Sequence, residues 1–199
     1  GDLAVAEPCF AQALELAAAG RDTFRRYLTL GWRGEARLRA GRPAEAAADL
    51  GTALDLAATI GSAFHRGGFG ALLAESMLQQ GDLETALRLS ENAVAEAERG
   101  DAAWGLSLAL RARAESLAAA GEAGYAPAVE LLRRAILIQG EQELACDLAW
   151  SRLCLGRLLL RMGEPRGEEE LKAAAAAFAA AGMAHGTAAI ANAHERHAA

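Results

Sequence analysis

The sequence has few of the residues on which several functional classes depend. Its 199 residues include one lysine, Lys172, and no G-x-x-x-x-G-K segment, so the phosphate-cradling loop of nucleotide-binding proteins is absent. The three cysteines, Cys9, Cys146 and Cys154, are odd in number and irregularly spaced. That pattern excludes a disulfide framework and suits a reducing compartment, so we expect a cytoplasmic location.

Charge and hydrophobicity exclude two further classes of partner. The net charge is −6, and this segment therefore lacks the basic surface that nucleic-acid binding requires. The longest uncharged run, residues 173–193, is mostly alanine and is interrupted by glycine and polar residues, which makes it a poor membrane span. The first residues of the sequence do not have the pattern of a signal peptide, so we expect none. We expect neither nucleic acid nor membrane as a partner.

Strand-forming residues are scarce, and helix formers are abundant. Valine, isoleucine and threonine together number 13, whereas alanine contributes 52 residues and leucine 30. Alanine and leucine lead the scale of helix propensity, and β-branched residues carry most sheets. The composition therefore predicts an all-α fold.

Glycine recurs with a period near 40 residues in two interleaved series. The series are Gly1, Gly41, Gly81, Gly121 and Gly163, and Gly20, Gly61, Gly100, Gly140 and Gly182. Each glycine fits the left-handed position that follows a helix. The expected helices are 2–19, 22–40, 43–60, 62–80, 83–98, 101–120, 126–139, 141–162, 165–181 and 184–197. Predicted N-caps are Asp2, Asp22, Ser62, Asp82 and Asp101.

Two prolines bear on these helices. Pro127 falls in the first turn of its predicted helix, where a missing N–H costs nothing. Pro8 lies about two turns into the first segment, so we expect that helix to kink or to start late.

Small and large apolar residues recur in register within the 40-residue period. Small residues align at Gly34, Ala74, Ala114 and Gly156 in the first helix of each hairpin. In the second helix, the aligned sets are Ala6, Ala46, Ala86 and Ala128, then Phe10, Leu50 and Leu132, then Ala13, Ala53, Ala93, Ala135 and Ala175. Small residues where two helices cross allow their backbones to approach closely.

This pattern resembles the tetratricopeptide repeat (TPR) and covers nearly the whole chain. The resemblance implies a right-handed α-solenoid of antiparallel helix hairpins in a single domain, 1–199. Its repeats would be 1–19 (incomplete), 22–60, 62–99, 101–139 and 141–181, with a capping helix at 184–197. It also implies a binding module without catalytic activity or cofactor.

Two features suggest the context of the module. The period of 40, rather than 34, is similar to helical-repeat regions of large bacterial signalling proteins, such as maltose-regulator-like LuxR-type transcription regulators and ATPase-linked nucleotide cyclases. Gly1 opens directly on the second helix of a repeat, so we expect the sequence to be part of a larger protein.

A row of acidic residues follows the small crossing positions. Glu35, Glu75 and Glu115 are each 40 residues apart, and Arg157 occupies the fourth equivalent position. In the TPR family this offset points into the concave groove, where three carboxylates would attract a basic segment of a partner. The alternative is local pairing, for example of Glu35 with Arg39 one turn later. The predicted groove residues are Glu35, Leu38, Arg39, Ala71, Glu75, Leu78, Gln79, Arg111, Glu115, Trp150, Leu153, Arg157 and Arg161.

The remaining candidates favour structural roles. Core filling is expected for Trp32 and Trp104, whereas Trp150 maps to the inner surface. Gly67, Gly68 and Gly70 are interpreted as a close helix approach or a local bend. Histidines at 194 and 197 are three residues apart, which does not match a zinc-protease helix, and no metal site is expected.

Three hypotheses of function remain open. The first is a regulatory module that binds a peptide or partner domain in the concave groove, with a basic segment as one candidate. The second is a small-molecule sensor with its ligand near Gly67, Gly68 and Trp150. The third is a scaffold that self-associates into a homo-oligomer through its exposed final repeat.

Overall fold

Nine α-helices follow one another in the part of the chain that the structure describes. A computed structural model describes residues 3–100, 103–183 and 186–190. The helices are α1 (Leu3–Ala19), α2 (Thr23–Arg39), α3 (Pro43–Thr59), α4 (Arg66–Gln79), α5 (Leu83–Gly100), α6 (Ala103–Ala120), α7 (Tyr125–Glu141), α8 (Ala145–Arg161) and α9 (Arg166–Ala180). A short 3-10 helix, Glu122–Gly124, precedes α7, and residues 186–190 are also helical.

The helices pack as successive hairpins, α2 with α3, α4 with α5, α6 with α7 and α8 with α9. Small residues stand where the paired helices cross. A Cβ added to Gly34 would lie 2.7 Å from Leu50 Cγ, and one added to Gly156 would lie 2.8 Å from Leu171 Cδ2. Such distances are too short for any side chain, so glycine allows these backbones to approach. The all-α solenoid of TPR-like hairpins that the sequence predicts is confirmed.

The core runs along the solenoid as three buried clusters rather than one centre. The first joins α2 to α6 and includes Tyr27 and Phe69, both fully buried. The second joins α6, α7 and α8 around Leu132, and the third joins α8 and α9 to residue Ile190 around Phe178. Each hairpin therefore contacts mainly its neighbours, as expected for a repeat protein.

Several local predictions are corrected. Helix α1 begins at Leu3 and contains Pro8, so the late start is wrong. Ser62 does not cap α4, because that helix begins at Arg66 and His65 occupies its N-cap. By contrast, Asp22 accepts a hydrogen bond from the Arg25 amide and Asp82 accepts one from the Thr85 amide, as N-caps should. The caps predicted at residues 2 and 101 lie outside the described residues.

The glycine series marks the turns less uniformly than predicted. Among the described members, six have positive φ, namely Gly41, Gly61, Gly81, Gly121, Gly163 and Gly182. At the other turns the positive φ belongs to Arg21 and Glu143, while Gly100 and Gly140 remain inside helices α5 and α7. After α1 and α7, the residue with left-handed backbone is therefore the second one past the end of the helix and not the nearby glycine. Gly1 lies outside the described residues.

Candidate functional site

The predicted groove residues lie on the first helix of each hairpin. Glu35 and Arg39 belong to α2, Glu75 and Gln79 to α4, Arg111 and Glu115 to α6, and Trp150, Arg157 and Arg161 to α8. Because the hairpins stack, these four helices bring side chains that are about 36 residues apart in sequence into contact along one face.

Ion pairs connect the four helices across this face. Arg39 Nη1 lies 2.5 Å from Glu75 Oε1, and Arg111 Nη2 lies 3.5 Å from Glu75 Oε2. Arg111 Nη1 also lies 3.7 Å from Asp147 Oδ1. Arg111 is only 2% exposed. The alternative pairing of Glu35 with Arg39 is corrected, since the carboxylate that contacts Arg39 belongs to Glu75 of the next hairpin.

The three acidic residues of the row differ in environment despite their equivalent positions. Although burial opposes it, the guanidiniums of Arg39 and Arg111 hold the pKa of Glu75 below its usual value. Burial raises the pKa of Glu35, and burial together with the nearby Glu75 raises the pKa of Glu115. Glu75 is therefore matched by cations, whereas Glu35 and Glu115 are desolvated without equal compensation.

The whole cluster carries more negative than positive groups. Four carboxylates, those of Glu35, Glu75, Glu115 and Asp147, share it with two buried guanidiniums. Within the described residues, no ion pair holds Glu35 or Glu115. The exposed guanidinium of Arg157 lies close enough to Glu115 to act on its charge, so the cluster has one negative charge in excess when all four carboxylates are ionised.

A cavity of about 960 Å³ opens beside this cluster. We call it the concave cavity; it is lined by Leu3, Ala6, Phe10, Trp32, Glu35, Ala36, Arg39, Ala40, Trp104, Cys146, Asp147, Trp150, Gly182 and Met183. Its walls combine three indole rings with two carboxylates and one guanidinium. Such a mixture of aromatic area and a few charged groups is typical of a binding pocket.

Trp150 lies on the inner surface, and Arg39 packs on it. The Arg39 guanidinium carbon is 5.2 Å from the Trp150 ring centroid, and the Phe178 ring meets Trp150 edge-on at 4.9 Å. Arg39 thus joins α2 to α8 across the concave cavity by a cation–π contact. This arrangement shows that a guanidinium is accepted between the indole and the carboxylates of this site.

Trp32 and Trp104 both fill space and line the cavity, so the expectation of core filling is incomplete. Their ring centroids are 5.1 Å apart, and both rings contact His65 and Phe69. Both tryptophans remain half-buried. A signal for Trp104 was present in the sequence, because aromatic residues recur 40 residues apart at positions 24, 64 and 104.

The other predicted groove residues lie away from the concave cavity. Arg157, Arg161 and Glu115 line a smaller cavity of about 170 Å³, and Gln79 is exposed, with Nε2 3.4 Å from Glu75 Oε1. Arg161 donates a hydrogen bond to the Tyr125 hydroxyl at 2.6 Å. Glu35, Glu75 and Glu115 therefore form part of a partly buried cluster and not an exposed row of carboxylates.

The thiol of Cys154 is part of this smaller cavity. Burial, and then the neighbouring Glu115 carboxylate, raise the pKa of the Cys154 thiol well above its usual value. A thiol in that state is a poor nucleophile at neutral pH. The geometry therefore indicates a structural role for this cysteine.

The glycines at the start of α4 permit close packing. A Cβ on Gly68 would lie 2.3 Å from Trp104 Cζ3, and a Cβ on Gly70 would lie 3.5 Å from Ala93 Cβ. Neither Gly67 nor Gly68 lines the concave cavity, so a ligand site next to them is not supported. Among the described residues, no group of three or more metal-ligating side chains comes together, and the histidines at 185, 194 and 197 lie outside those residues.

Comparison with solved structures supports the fold. BtubC (BKLC) from P. vanneervenii superposes with a TM-score of 0.61 at 16% identity, covering 98% of this chain and 89% of that chain. A putative kinesin light chain of Podosopora anserina with nearly identical TPR-like repeats has a TM-score of 0.55 at 19% identity, covering 92% and 90% of the two chains. A variant of that protein gives a TM-score of 0.57 at 20% identity, covering 90% and 88%.

Sequence comparison adds no closer relationship. No family model matches the sequence, and no curated protein matches it. None of the helices in the described residues is both long and apolar enough to cross a membrane. With identities of 16–20%, the similarity to these solved structures concerns the fold, which is that of a TPR-like helical-repeat protein.

Proposed function

We propose that the concave cavity binds a basic segment of a partner protein and that the chain is a protein-interaction module. The observation that carries this proposal is the charge of the site: four carboxylates share a partly buried face with the buried guanidiniums of Arg39 and Arg111 and the exposed one of Arg157. An incoming cation would supply the missing charge and compensate the Glu35 carboxylate.

The aromatic wall supports the same class of ligand. Arg39 already packs its guanidinium over Trp150 and pairs with Glu75. A second cation entering beside Trp32 would meet Glu35 and Asp147, which face the same cavity. Indole faces and carboxylates together favour arginine or lysine side chains over neutral ones.

A binding experiment tests this proposal with a defined probe. The probe is an acetylated, amidated peptide that alternates alanine and arginine, and its control replaces each arginine by citrulline, which is neutral and nearly isosteric. We expect the arginine peptide to bind at least about tenfold more tightly, with an affinity that falls as salt is raised. Titration calorimetry measures both.

Two double variants locate the binding. The change Glu35→Gln with Asp147→Asn removes two cavity charges and should abolish the preference for arginine. The matched change Glu15→Gln with Asp55→Asn removes the same charges from exposed positions and should leave it intact. Equal behaviour of the two double variants, or equal binding of the arginine and citrulline peptides, would contradict the proposal.

A small cationic ligand is the second candidate, favoured by the size of the cavity. A volume of about 960 Å³ lies at the upper end of the range of small-molecule sites, roughly 300–1,000 Å³. Acetyl-arginine amide is a suitable probe. If it raises the midpoint of thermal unfolding as much as the peptide does at equal concentration, the site is complete with one side chain and the chain acts as a sensor.

The wider role is proposed on the sequence pattern. The 40-residue period supports a regulatory module within a larger bacterial signalling or transcription-regulating protein, located in the cytoplasm. Expression of the gene as a fluorescent fusion tests the location, because a cytoplasmic protein gives a uniform signal and a secreted or membrane-bound protein does not.

A further inference from the structure

Three indole rings from three different hairpins border the concave cavity, those of Trp32 in α2, Trp104 in α6 and Trp150 in α8. The Arg39 guanidinium lies over Trp150 and also pairs with Glu75. The ring centroids of Trp32 and Trp104 are 5.1 Å apart and their planes are inclined by 49°, so these two rings form a corner. We call this pair the indole corner. Rings that meet at an angle can contact a rounded cation from two sides.

The indole of Trp104 is held in this corner by α4 and the turn before it. A Cβ on Gly68 would lie 2.3 Å from Trp104 Cζ3, so any side chain on that residue would displace the ring. The ring also packs edge-on against His65 and Phe69, at centroid distances of 4.9 and 6.1 Å. The glycine and these two rings therefore fix the α6 side of the cavity wall.

Hydrogen-bond acceptors are scarce in the concave cavity. Among the described residues that line it, only Glu35 and Asp147 have side-chain oxygens. Asp147 Oδ1 lies 3.7 Å from Arg111 Nη1, so part of its charge is already matched. Glu35 forms no ion pair with another described residue, and burial raises its pKa. A ligand with a single positive charge and few N–H groups therefore matches this cavity best.

The number of N–H donors distinguishes the cations that a protein segment can present. At the same charge, a guanidinium has five N–H donors and a lysine ammonium has three. A trimethylated lysine has none. Each donor that leaves water and finds no acceptor costs free energy. Methyl groups on the nitrogen instead pack on indole faces, which attract quaternary ammonium ions electrostatically.

We propose that the segment bound in the concave cavity presents a trimethylated lysine, with its quaternary ammonium in the indole corner beside Glu35. A trimethylated lysine is one form of the basic segment in the proposed function, on which this assignment rests. Glu35 lies three residues after Trp32 on α2, so its carboxylate and the indole are neighbours on one side of the helix. The carboxylate supplies the opposite charge and need not accept a hydrogen bond from the ligand.

Four peptides that differ at one residue test this preference. Each is the neutral, acetylated and amidated peptide that alternates alanine and citrulline, with one central residue changed. That residue is trimethyl-lysine, lysine, arginine, or a neutral analogue in which a tert-butyl group replaces the trimethylammonium. We expect the trimethyl-lysine peptide to bind at least about tenfold more tightly than the other three. Quenching of tryptophan fluorescence measures binding, because all three tryptophans line the cavity.

The failure of this proposal can be distinguished from failure of the proposed function. If the lysine or arginine peptide binds as tightly as the trimethyl-lysine peptide, this proposal is wrong and the basic-segment site remains. Equal binding of the neutral analogue would also overturn it, because apolar contact would then be sufficient. If none of the three cationic peptides binds more tightly than the peptide without a central cation, both the proposal and the proposed function are wrong.

One pair of variants locates the quaternary ammonium by removing a ring. Trp104→Leu takes away one side of the indole corner and should reduce the preference for trimethyl-lysine over lysine to less than about threefold. Phe24→Leu makes a matched change at the same position of the repeat, where the ring is exposed and does not line the cavity. It should leave the preference intact. Equal loss in the two variants would overturn the proposal.

A second pair displaces the Trp104 ring without removing it. Gly68→Ala should reduce the preference as Trp104→Leu does, because its Cβ would occupy the space of the indole. Gly70→Ala is the control on the same helix, since its Cβ would lie 3.5 Å from Ala93 Cβ, an ordinary contact distance. Thermal unfolding checks that each variant is folded. A preference that survives in folded Trp104→Leu or Gly68→Ala would place the cation elsewhere and contradict the proposal.

A free quaternary ammonium compound shares the chemistry of trimethyl-lysine, and choline is the probe for that source. Because the concave cavity, at about 960 Å³, is much larger than one ammonium group, we expect the flanking residues of the peptide to add contacts. The trimethyl-lysine peptide should therefore bind at least about tenfold more tightly than choline. Choline binding as tight as that of the peptide would assign the indole corner to a small molecule and overturn the proposal of a trimethylated partner segment.

Discussion

Two clusters in this protein are built from the same groups, guanidiniums and carboxylates, but they differ in how the charges are matched. One ties α1, α2 and α3 together: Asp49 accepts two hydrogen bonds from Arg33, at 2.6 and 2.8 Å, and one from Arg37 at 2.8 Å, and Arg37 also binds Glu7. The other is the concave cluster around Glu75. We call the first the α1–α3 network.

The difference between them lies in charge balance. In the α1–α3 network, three guanidiniums meet three carboxylates, and each carboxylate accepts at least one charge-assisted hydrogen bond; the members are Glu7, Arg33, Arg37, Arg42, Glu45 and Asp49. In the concave cluster, four carboxylates share the two buried guanidiniums of Arg39 and Arg111 and the exposed one of Arg157. A balanced network stabilises the fold, whereas an unbalanced one beside a cavity is suited to a ligand that completes it.

The largest effect is expected from breaking the balanced network. Asp49 is 6% exposed, and Asp49→Ala would leave the partly buried Arg33 without its carboxylate and Arg37 with Glu7 alone. We expect the free energy of unfolding to fall by about 3–5 kcal/mol. Urea denaturation measures the change.

The control for that variant is Asp55→Asn, an exposed position on the same helix. Its free energy of unfolding should stay within about 0.5 kcal/mol of the parent. If Asp49→Ala lowers the free energy of unfolding no more than Asp55→Asn does, the α1–α3 network does not stabilise the fold. The contrast between the two clusters would then not hold.

A smaller loss is expected at Glu75, the one balanced member of the concave cluster. Glu75→Gln keeps the shape but removes the charge that faces Arg39 and Arg111, and should cost about 2–3 kcal/mol at pH 7. Because the folded-state pKa of Glu75 is lowered, its contribution is present above the ordinary value of 4.5 and is lost as pH falls through the folded pKa. The difference in free energy of unfolding between the parent and the variant should therefore be present at pH 7 and should shrink as pH falls below 4.5 through the folded-state pKa of Glu75. A cost at Glu75 that does not change with pH would show that packing, not charge, explains it.

The contrast also marks what the sequence alone could predict. Local helix propensity and periodicity can be read directly from a sequence. They predict the order of the helices, crossing residues such as Gly34 and the solenoid fold. The surroundings of Glu35 and Glu75 do not follow from the sequence in this way, because equivalent positions gain different neighbours once the hairpins stack. Arg39 reaches Glu75 across 36 residues, and no local spacing encodes that choice.

The concave cavity could be only partly predicted for a similar reason. Repeat register predicts Trp150 on the inner surface, but Asp147 has no equivalent acid in the other repeats and Trp32 has no equivalent aromatic residue. Both reach the cavity because it lies between α2 and α8, where Arg39 of α2 packs on Trp150 of α8.

The smallest effect, and one of opposite sign, is expected at Glu35. Its pKa is raised by burial, so the folded state binds a proton more readily than the unfolded chain does, and stability falls as pH rises above the ordinary value of 4.5. Glu35→Gln removes that penalty and should raise the free energy of unfolding at pH 7 by at most about 1 kcal/mol, with no gain where the carboxyl is protonated in both states. Thermal unfolding of the parent and the variant, measured from below pH 4.5 to pH 7, gives the difference in stability between them. Destabilisation by Glu35→Gln at pH 7 would mean that Arg39 compensates this carboxylate fully, and the site would then have no unmet charge to offer a basic partner.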